Sequence, residues 1–222
     1  MTDQNKANKE DKEYEKKYRK LLKEMKEEFK EFAVVQKKTS QFAHVMGKVA
    51  FWNPQLNERY TMTIGPKIYV NFTWDERPIK ERYDTMIHER IHMRQFQRWG
   101  FIPYFLMYFL VPFPIKLAYL RMKWEMDAYE VNIYMALKTH GKKHVFGKEF
   151  INYILEQFCG PSYAYTWYTP ERIIRWLRET VAKIERGELT WDMLTNRDRL
   201  PKTARPLRAP KILKWLYPKE FA

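Results

Sequence analysis

The chain has very little that would cross-link it or carry it out of the cell. Cys159 is its only cysteine, so no disulfide can form within the chain, and this is typical of proteins in a reducing compartment. The N-terminus has no short basic segment followed by an apolar core, so we expect no secretory signal. We therefore expect a cytoplasmic protein, with peripheral attachment to a membrane left open.

A long uninterrupted hydrophobic run is also missing. The most apolar stretch, residues 101–120, holds a charge-free run of about fifteen residues broken by Pro103, Pro112 and Pro114, whereas a membrane-spanning helix needs about twenty. We interpret 101–120 as an apolar insertion and leave two alternatives open. It forms a buried hairpin or loop, or it dips into one leaflet of a membrane with its basic flanks on anionic headgroups.

Sequence signatures of several binding functions are absent as well. The chain shows no internal repeat, no glycine-rich phosphate loop, no cysteine-rich metal pattern and no recognition helix or RNA-binding signature. Positive charge is abundant instead, with 41 Lys and Arg against 27 Asp and Glu and a formal net charge of +14. This balance predicts attraction to an anionic membrane surface or, as the weaker alternative, to nucleic acid.

The composition is that of a folded protein with charged ends. Apolar residues make up 45% of the chain and aromatic residues 17%, which is too rich in large apolar groups for a disordered protein. We divide it into a charged amphipathic N-terminal helix in residues 1–39, a main domain in residues 40–199, and a basic proline-rich tail in residues 200–222. The oligomeric state is not readable from the sequence.

The chemistry of the chain is indicated by His-Glu-x-x-His at residues 88–92, inside a stretch whose periodicity predicts a helix over residues 76–99. At 3.6 residues per turn, His88 and His92 lie one turn apart on the same face, so both imidazoles can bind one metal ion. The second residue of this motif does not bind the metal. Glu89 is placed to take a proton from water that the metal activates and to pass it on.

A zinc site of this kind needs a third protein ligand and leaves the fourth position to water. The candidates lie in residues 124–130, on a second predicted helix. Here the sequence resembles the gluzincin metallopeptidases, whose third ligand is a Glu in a Glu-x-x-Ala-Asp pattern that Glu125 and Ala128 match. The resemblance implies that Glu125 is the third Zn²⁺ ligand, with Glu130 as the alternative. Tyr129 stands where the pattern often has an Asp that orients a ligand histidine.

Short strands are predicted before the motif helix, because apolar alternation there is interrupted by turn clusters. The predicted strands cover residues 43–46, 49–52, 59–64 and 68–72. Zincin-type peptidases place a small antiparallel sheet in this position, and its edge strand pairs with an extended substrate. We therefore predict an α+β fold, a mainly helical zincin-like metallopeptidase domain with a small antiparallel sheet before the HExxH helix.

An aromatic loop after Gly160 supplies two further candidates. Tyr163 and Tyr165 lie in this loop, and a tyrosine hydroxyl can donate a hydrogen bond to the oxyanion of a tetrahedral intermediate. We list both as candidate catalytic residues beside Glu89.

These patterns lead to two functional hypotheses. The first is a zinc-dependent metallohydrolase, a peptidase that acts on a peptide or protein and uses Glu89 as its general base. The alternative is a non-catalytic protein, membrane-peripheral or associated with nucleic acid, in which a metal only stabilises the fold. The intact Glu89 favours the first hypothesis, because a purely structural site has no need of that carboxylate.

Overall fold

The computed structural model describes residues 3–49, 60–100, 117–160, 169–201 and 207–221. The chain forms two compact units, the first made of Met1–Phe101 with Leu200–Ala222 and the second of Ile102–Arg199. The described residues are mainly helical and include one three-stranded sheet. This agrees with the predicted α+β class. The predicted strand at residues 50–52 and residues 101–116 of the apolar insertion lie outside the described residues.

The first unit begins with the long helix α1, Asp3–Glu28. Its sequence is dense in Lys and Glu, yet Leu21, Met25 and Phe29 recur every four residues along and just beyond its last turns. All three side chains are buried. This spacing places them on one face, as the sequence predicted for an amphipathic helix, and their burial fixes the end of α1 on the first unit.

The sheet of the first unit differs from the prediction of an antiparallel sheet. Its strands are β1, Ala33–Gln36, β2, Met62–Ile64, and β3, Lys67–Val70, in the order β1-β3-β2. β2 and β3 are antiparallel, whereas β1 runs parallel to β3. The sheet is therefore mixed. A hairpin turn at Gly65, with a φ of +58°, explains the antiparallel pair, while β1 is too short and too close to the charged helix for its period to be recognised.

The strand predicted at residues 43–46 is wrong, because the structure has helix α2, Gln41–Val49, at this position. Phe42, Ala43 and Met46 are buried together at positions i, i+1 and i+4, which share one face of a helix but not one face of a strand. Ser40 decides between the two, since its hydroxyl accepts a hydrogen bond from the Ala43 amide at 2.9 Å and so caps the first turn.

The motif helix is α3, Ile79–Trp99, and it agrees with the predicted helix apart from a later start. Pro78 precedes its first residue, and Glu76, where the predicted helix began, is instead the last residue of a short 3₁₀ turn at Trp74–Glu76. Gly100, with a φ of +83°, ends it. The HExxH motif therefore lies in the middle of a regular helix of 21 residues.

An ion cluster joins α1 to the motif helix. Glu28 accepts hydrogen bonds from Arg94 Nε at 2.5 Å and from Arg94 Nη2 at 3.0 Å, and Arg90 Nη2 lies 2.7 Å from the same carboxylate. The Arg94 side chain is only 1% exposed. A guanidinium this deeply buried needs a paired carboxylate, so Glu28 is the residue that allows Arg94 to be inside the protein.

The C-terminal residues belong to the first unit and contain two short helices, α8, Lys211–Leu216, and α9, Pro218–Phe221. The Glu31 carboxylate accepts hydrogen bonds from the Ala209 amide at 3.1 Å and from Lys214 Nζ at 2.9 Å. The Glu220 carboxylate accepts hydrogen bonds from the Ser40 hydroxyl at 2.7 Å and from the Phe42 amide at 3.0 Å. These contacts attach the segment to the turn between α1 and β1 and to the start of α2.

The second unit is helical in its described part. Its helices are α4, Leu117–Val145, α5, Lys148–Cys159, α6, Pro170–Glu185, and α7, Trp191–Thr195. Gly141, with a φ of +78°, breaks α4 near its end. Thr169 is the N-cap of α6 and Pro170 its first residue, and Ile173, Leu177, Val181 and Ile184 form its buried face. No helix in the described part of the chain is both long enough and apolar enough to cross a membrane.

The Glu28 ion cluster generates a stability prediction. We expect Glu28→Gln to lower the free energy of unfolding by about 3 kcal/mol, because it removes the carboxylate charge that the buried Arg94 guanidinium binds at two nitrogens. Urea unfolding followed by circular dichroism measures this change. Glu15→Gln is the matched control, since the Glu15–Arg19 pair on the same helix is exposed and contributes little. Equal losses in the two variants would contradict the assignment.

The same cluster makes stability depend on pH. Burial raises the pKa of the Glu28 carboxyl, but the hydrogen bonds and charges of Arg94 and Arg90 outweigh burial and hold that pKa below its usual 4.5. The folded state therefore releases this proton more readily than the unfolded chain does. The pair stabilises the fold above about pH 4.5 and loses its effect as the pH falls through the lowered pKa, so the difference between wild type and Glu28→Gln narrows in acid.

Candidate metal centre

His88 and His92 are brought together by one turn of α3. Their ring centroids are 4.8 Å apart and the two Nε2 atoms are 3.1 Å apart. Two nitrogens that bind one tetrahedral zinc ion at 2.0–2.1 Å would be separated by about 3.3 Å. The two imidazoles therefore already present their Nε2 atoms at the separation that a shared metal requires.

Gln95 holds the second histidine in this orientation. His92 Nδ1 lies 2.9 Å from Gln95 Oε1, and Gln95 is completely buried one turn further along the helix. An amide oxygen only accepts hydrogen bonds, so His92 carries its proton on Nδ1 and keeps the lone pair of Nε2 for a metal. The sequence analysis missed this residue. The helical spacing from His92 to Gln95 was the signal that could have indicated it.

Glu125 completes a group that can hold a metal ion. One ligand atom from each of His88, His92 and Glu125 lies within 4.8 Å of the others. His92 and Glu125 are 4% and 3% exposed, and His88 is half-buried. The sequence analysis named these three residues as ligands, and the structure brings them together.

The alternative ligand, Glu130, has a different role. Arg197 Nη2 lies 2.6 Å from Glu130 Oε2, and Arg197 Nη1 lies 2.9 Å from Asp127 Oδ1, so one guanidinium binds both carboxylates. Burial raises the pKa of Asp127 to about 6 despite this cation. Tyr129, at the position where the gluzincin pattern often has Asp, packs its ring on Phe158 in the core of the second unit.

Glu89 faces the sheet. Its side chain is 6% exposed, and its Oε2 atom accepts a hydrogen bond from Thr63 Oγ1 at 2.5 Å. Thr63 lies in the middle of β2, at one edge of the sheet. The strand therefore fixes one oxygen of the carboxylate that follows His88 in the chain. The sequence analysis did not identify Thr63, because the contact joins residues that are 26 positions apart.

Lys37 is a second buried charge near this carboxylate. Its side chain is completely buried and its Nζ donates a hydrogen bond to the Tyr60 carbonyl at 2.8 Å. Burial lowers the pKa of Lys37 to about 7, and the negative charge of Glu89 opposes that shift. The side chain of Lys37 therefore changes its charge near neutral pH. Nothing in its sequence context, a run of polar residues after β1, indicated burial.

Two site candidates, Tyr163 and Tyr165, lie outside the described residues, as does most of the apolar insertion.

Comparison with known proteins gives no match, since no family model, no curated protein and no solved structure is similar to this chain at a significant level. The geometry of the residues themselves therefore carries the functional argument.

The contact between Gln95 and His92 generates a prediction about metal affinity. We expect Gln95→Ala to weaken Zn²⁺ binding by about 10- to 100-fold, because His92 loses the partner that fixes its tautomer and ring orientation. Competition against a chromophoric chelator measures the affinity.

Gln97→Ala is the control for this measurement. Gln97 is the same residue type, two positions further along α3 and about 200° around the helix axis from Gln95. We expect this variant to bind zinc like the wild type. Equal affinities in Gln95→Ala and the wild type would contradict the role given to Gln95.

Proposed function

We propose that the chain is a zinc-dependent metallohydrolase that cleaves peptide bonds. The observation that carries the proposal is the convergence of the His88, His92 and Glu125 ligand atoms, together with a buried carboxylate, Glu89, that follows the first ligand. Two imidazole nitrogens and one carboxylate oxygen form the donor set of one class of catalytic zinc sites. The resemblance of the two sequence motifs to the gluzincin metallopeptidases supports the same reading.

Each residue then has a defined task. His88, His92 and Glu125 would hold the ion, with Gln95 keeping the Nε2 atom of His92 available. Bound zinc would supply a Lewis acid that lowers the pKa of a water molecule to about 7 and polarises a carbonyl group. Glu89 would accept the proton that the attacking water loses and donate it to the leaving amine.

Strand β2 gives this proposal a place for the substrate. β2 is an edge strand of the sheet, and its central residue, Thr63, holds the Glu89 carboxylate. An extended peptide that pairs with β2 would run along the strand that positions the general base. The hydrogen bond from Thr63 also restricts Glu89 to one orientation, which reduces the reorganisation needed during proton transfer.

Metal content tests the first part of the proposal. We expect elemental analysis of the purified protein to find about one zinc per chain, lost in His92→Ala, because the two remaining ligands bind too weakly. His144→Ala is the matched control. His140 and His144 have the same spacing on an exposed surface, with ring centroids 4.7 Å apart, and we expect that variant to keep its zinc. A wild type without metal would overturn the proposal.

Turnover tests the role of Glu89. We expect Glu89→Gln to keep its zinc and to hydrolyse a fluorescein-labelled casein about 10²- to 10⁴-fold more slowly, because the variant loses its proton acceptor. Glu81→Gln, at an exposed carboxylate in the first turn of the same helix, is the control and retains activity. Unchanged turnover in Glu89→Gln would exclude the general-base role.

The same variants distinguish the proposed hydrolase from the alternative, a non-catalytic protein with a stabilising metal. A stabilising site requires the three ligands but not Glu89. Zinc that stabilises the wild type and Glu89→Gln equally, without hydrolysis of casein by the wild type, would favour this alternative.

A further inference from the structure

The C-terminal segment of the first unit has an unusual outer surface. Its inner side is fixed, because Leu207, Ala209 and Leu213 are buried and Tyr217 packs its ring edge-on against Phe42. Helix α8 therefore has a defined orientation. The residues on its other side are presented outward by the packing.

Three large apolar side chains lie on this outer side. Ile212 is 51% exposed, Trp215 is 76% exposed and Leu216 is 51% exposed. They occupy positions i, i+3 and i+4 of α8, so they share one helix face. Burial of Leu213 shows that the helix places one apolar residue inside and three outside. A contiguous exposed patch of this kind marks an interaction surface more often than scattered apolar residues do.

Exposed cations surround the three apolar residues. Arg208, Lys211 and Lys219 are exposed. Lys211 lies one turn before Trp215 on α8, so it shares the outer side of the helix, and Arg208 and Lys219 lie three residues beyond its two ends. The acidic residue of the segment, Glu220, binds Ser40 and Phe42 instead. The six outward residues, which we call the C-terminal face, are Arg208, Lys211, Ile212, Trp215, Leu216 and Lys219.

We propose that the C-terminal face binds the surface of an anionic lipid membrane. The inference goes beyond the proposed peptidase function and does not depend on it. Tryptophan is enriched at the boundary between lipid headgroups and acyl chains, and Ile212 and Leu216 beside Trp215 can enter the acyl region. Lys and Arg around them attract anionic headgroups, which adds the second signal that stable membrane attachment needs.

Charge and apolar surface together favour an anionic membrane over two other partners, nucleic acid and a second copy of the chain. Nucleic acid would be bound by cations and by stacking on Trp215, but it offers no apolar surface for Ile212 or Leu216. A second copy of the chain would bring a net charge of +14 against another +14, which opposes association. An anionic membrane offers both a negative surface and an apolar layer beneath it.

Vesicle sedimentation tests the proposal with the full chain. We expect the wild type to sediment with vesicles of phosphatidylcholine containing about 30 mol% phosphatidylglycerol and to remain in solution with pure phosphatidylcholine, with binding that weakens as salt is added. Trp215→Ala should reduce the partition coefficient by about 10-fold or more. The double variant Lys211→Gln with Lys219→Gln should reduce it by about 5-fold for each charge.

Trp99→Ala is the matched control, because Trp99 is a 48% exposed tryptophan of the same unit outside this face. We expect it to bind vesicles like the wild type. Leu216→Ser is a second apolar variant and should also weaken binding. Equal effects of Trp215→Ala and Trp99→Ala would overturn the proposal, as would failure of the wild type to sediment with the anionic vesicles.

A nucleic-acid partner gives a different result. In that case Trp215→Ala would weaken binding to duplex DNA and leave sedimentation with vesicles unchanged, which would overturn the membrane assignment. An acidic protein partner would leave the wild type in the supernatant with both vesicle compositions. Zinc content and casein hydrolysis do not enter this test, so its failure is separate from failure of the proposed function.

Discussion

The motif helix carries arginines on one face and histidines on the opposite face. The largely buried arginines need a carboxylate partner, and the rest of the first unit is arranged to supply it. His88 and His92 lie on one face, while Arg90 and Arg94 lie about 200° away on the other. The Glu28 carboxylate neutralises the arginine face and is itself almost buried. An ion cluster of this kind contributes little net stability compared with apolar packing, but it is costly to break. Only a helix that supplies a carboxylate at this point can therefore pack against the arginine face.

This arrangement explains why a highly charged N-terminal helix is part of the folded unit. α1 supplies both the apolar residues Leu21 and Met25 and the carboxylate that Arg94 needs. With the arginine face covered, the opposite face of the helix carries the two histidines of the candidate metal centre. The helix is therefore held from behind by α1 and is contacted at Glu89 by strand β2, which makes the motif rigid without using its ligand atoms.

The residues around the motif show how the candidate site is oriented. Gln95 is on the same helix as His92 and needs no tertiary contact to reach it, whereas Thr63 reaches Glu89 only because β2 packs on the motif helix. Lys37 is buried near Glu89 and exchanges its proton near neutral pH, so it adds a titratable charge to the surroundings of the proposed general base. A buried group with a shifted pKa, such as Lys37, is often found at functional sites.

Local sequence was sufficient where the interaction is local. The spacing of His88 and His92, the motif helix and the strand before it were all predicted correctly, because each depends on neighbours within about one helical turn or one hairpin. The error at residues 43–46 arose because four residues are too few to show whether their period is that of a helix or of a strand. There the cap at Ser40 was the deciding signal.

The sequence by itself determined which chemistry the chain can carry, because two imidazoles and a carboxylate at helical spacing are a property of the local chain. Only the tertiary structure decided how residues far apart in the chain pair within each unit. It assigned Glu130 to Arg197, paired Arg94 with Glu28 and placed β1 parallel to β3. These contacts join residues far apart in the chain, and their free energy comes from burial and charge pairing that no local pattern records.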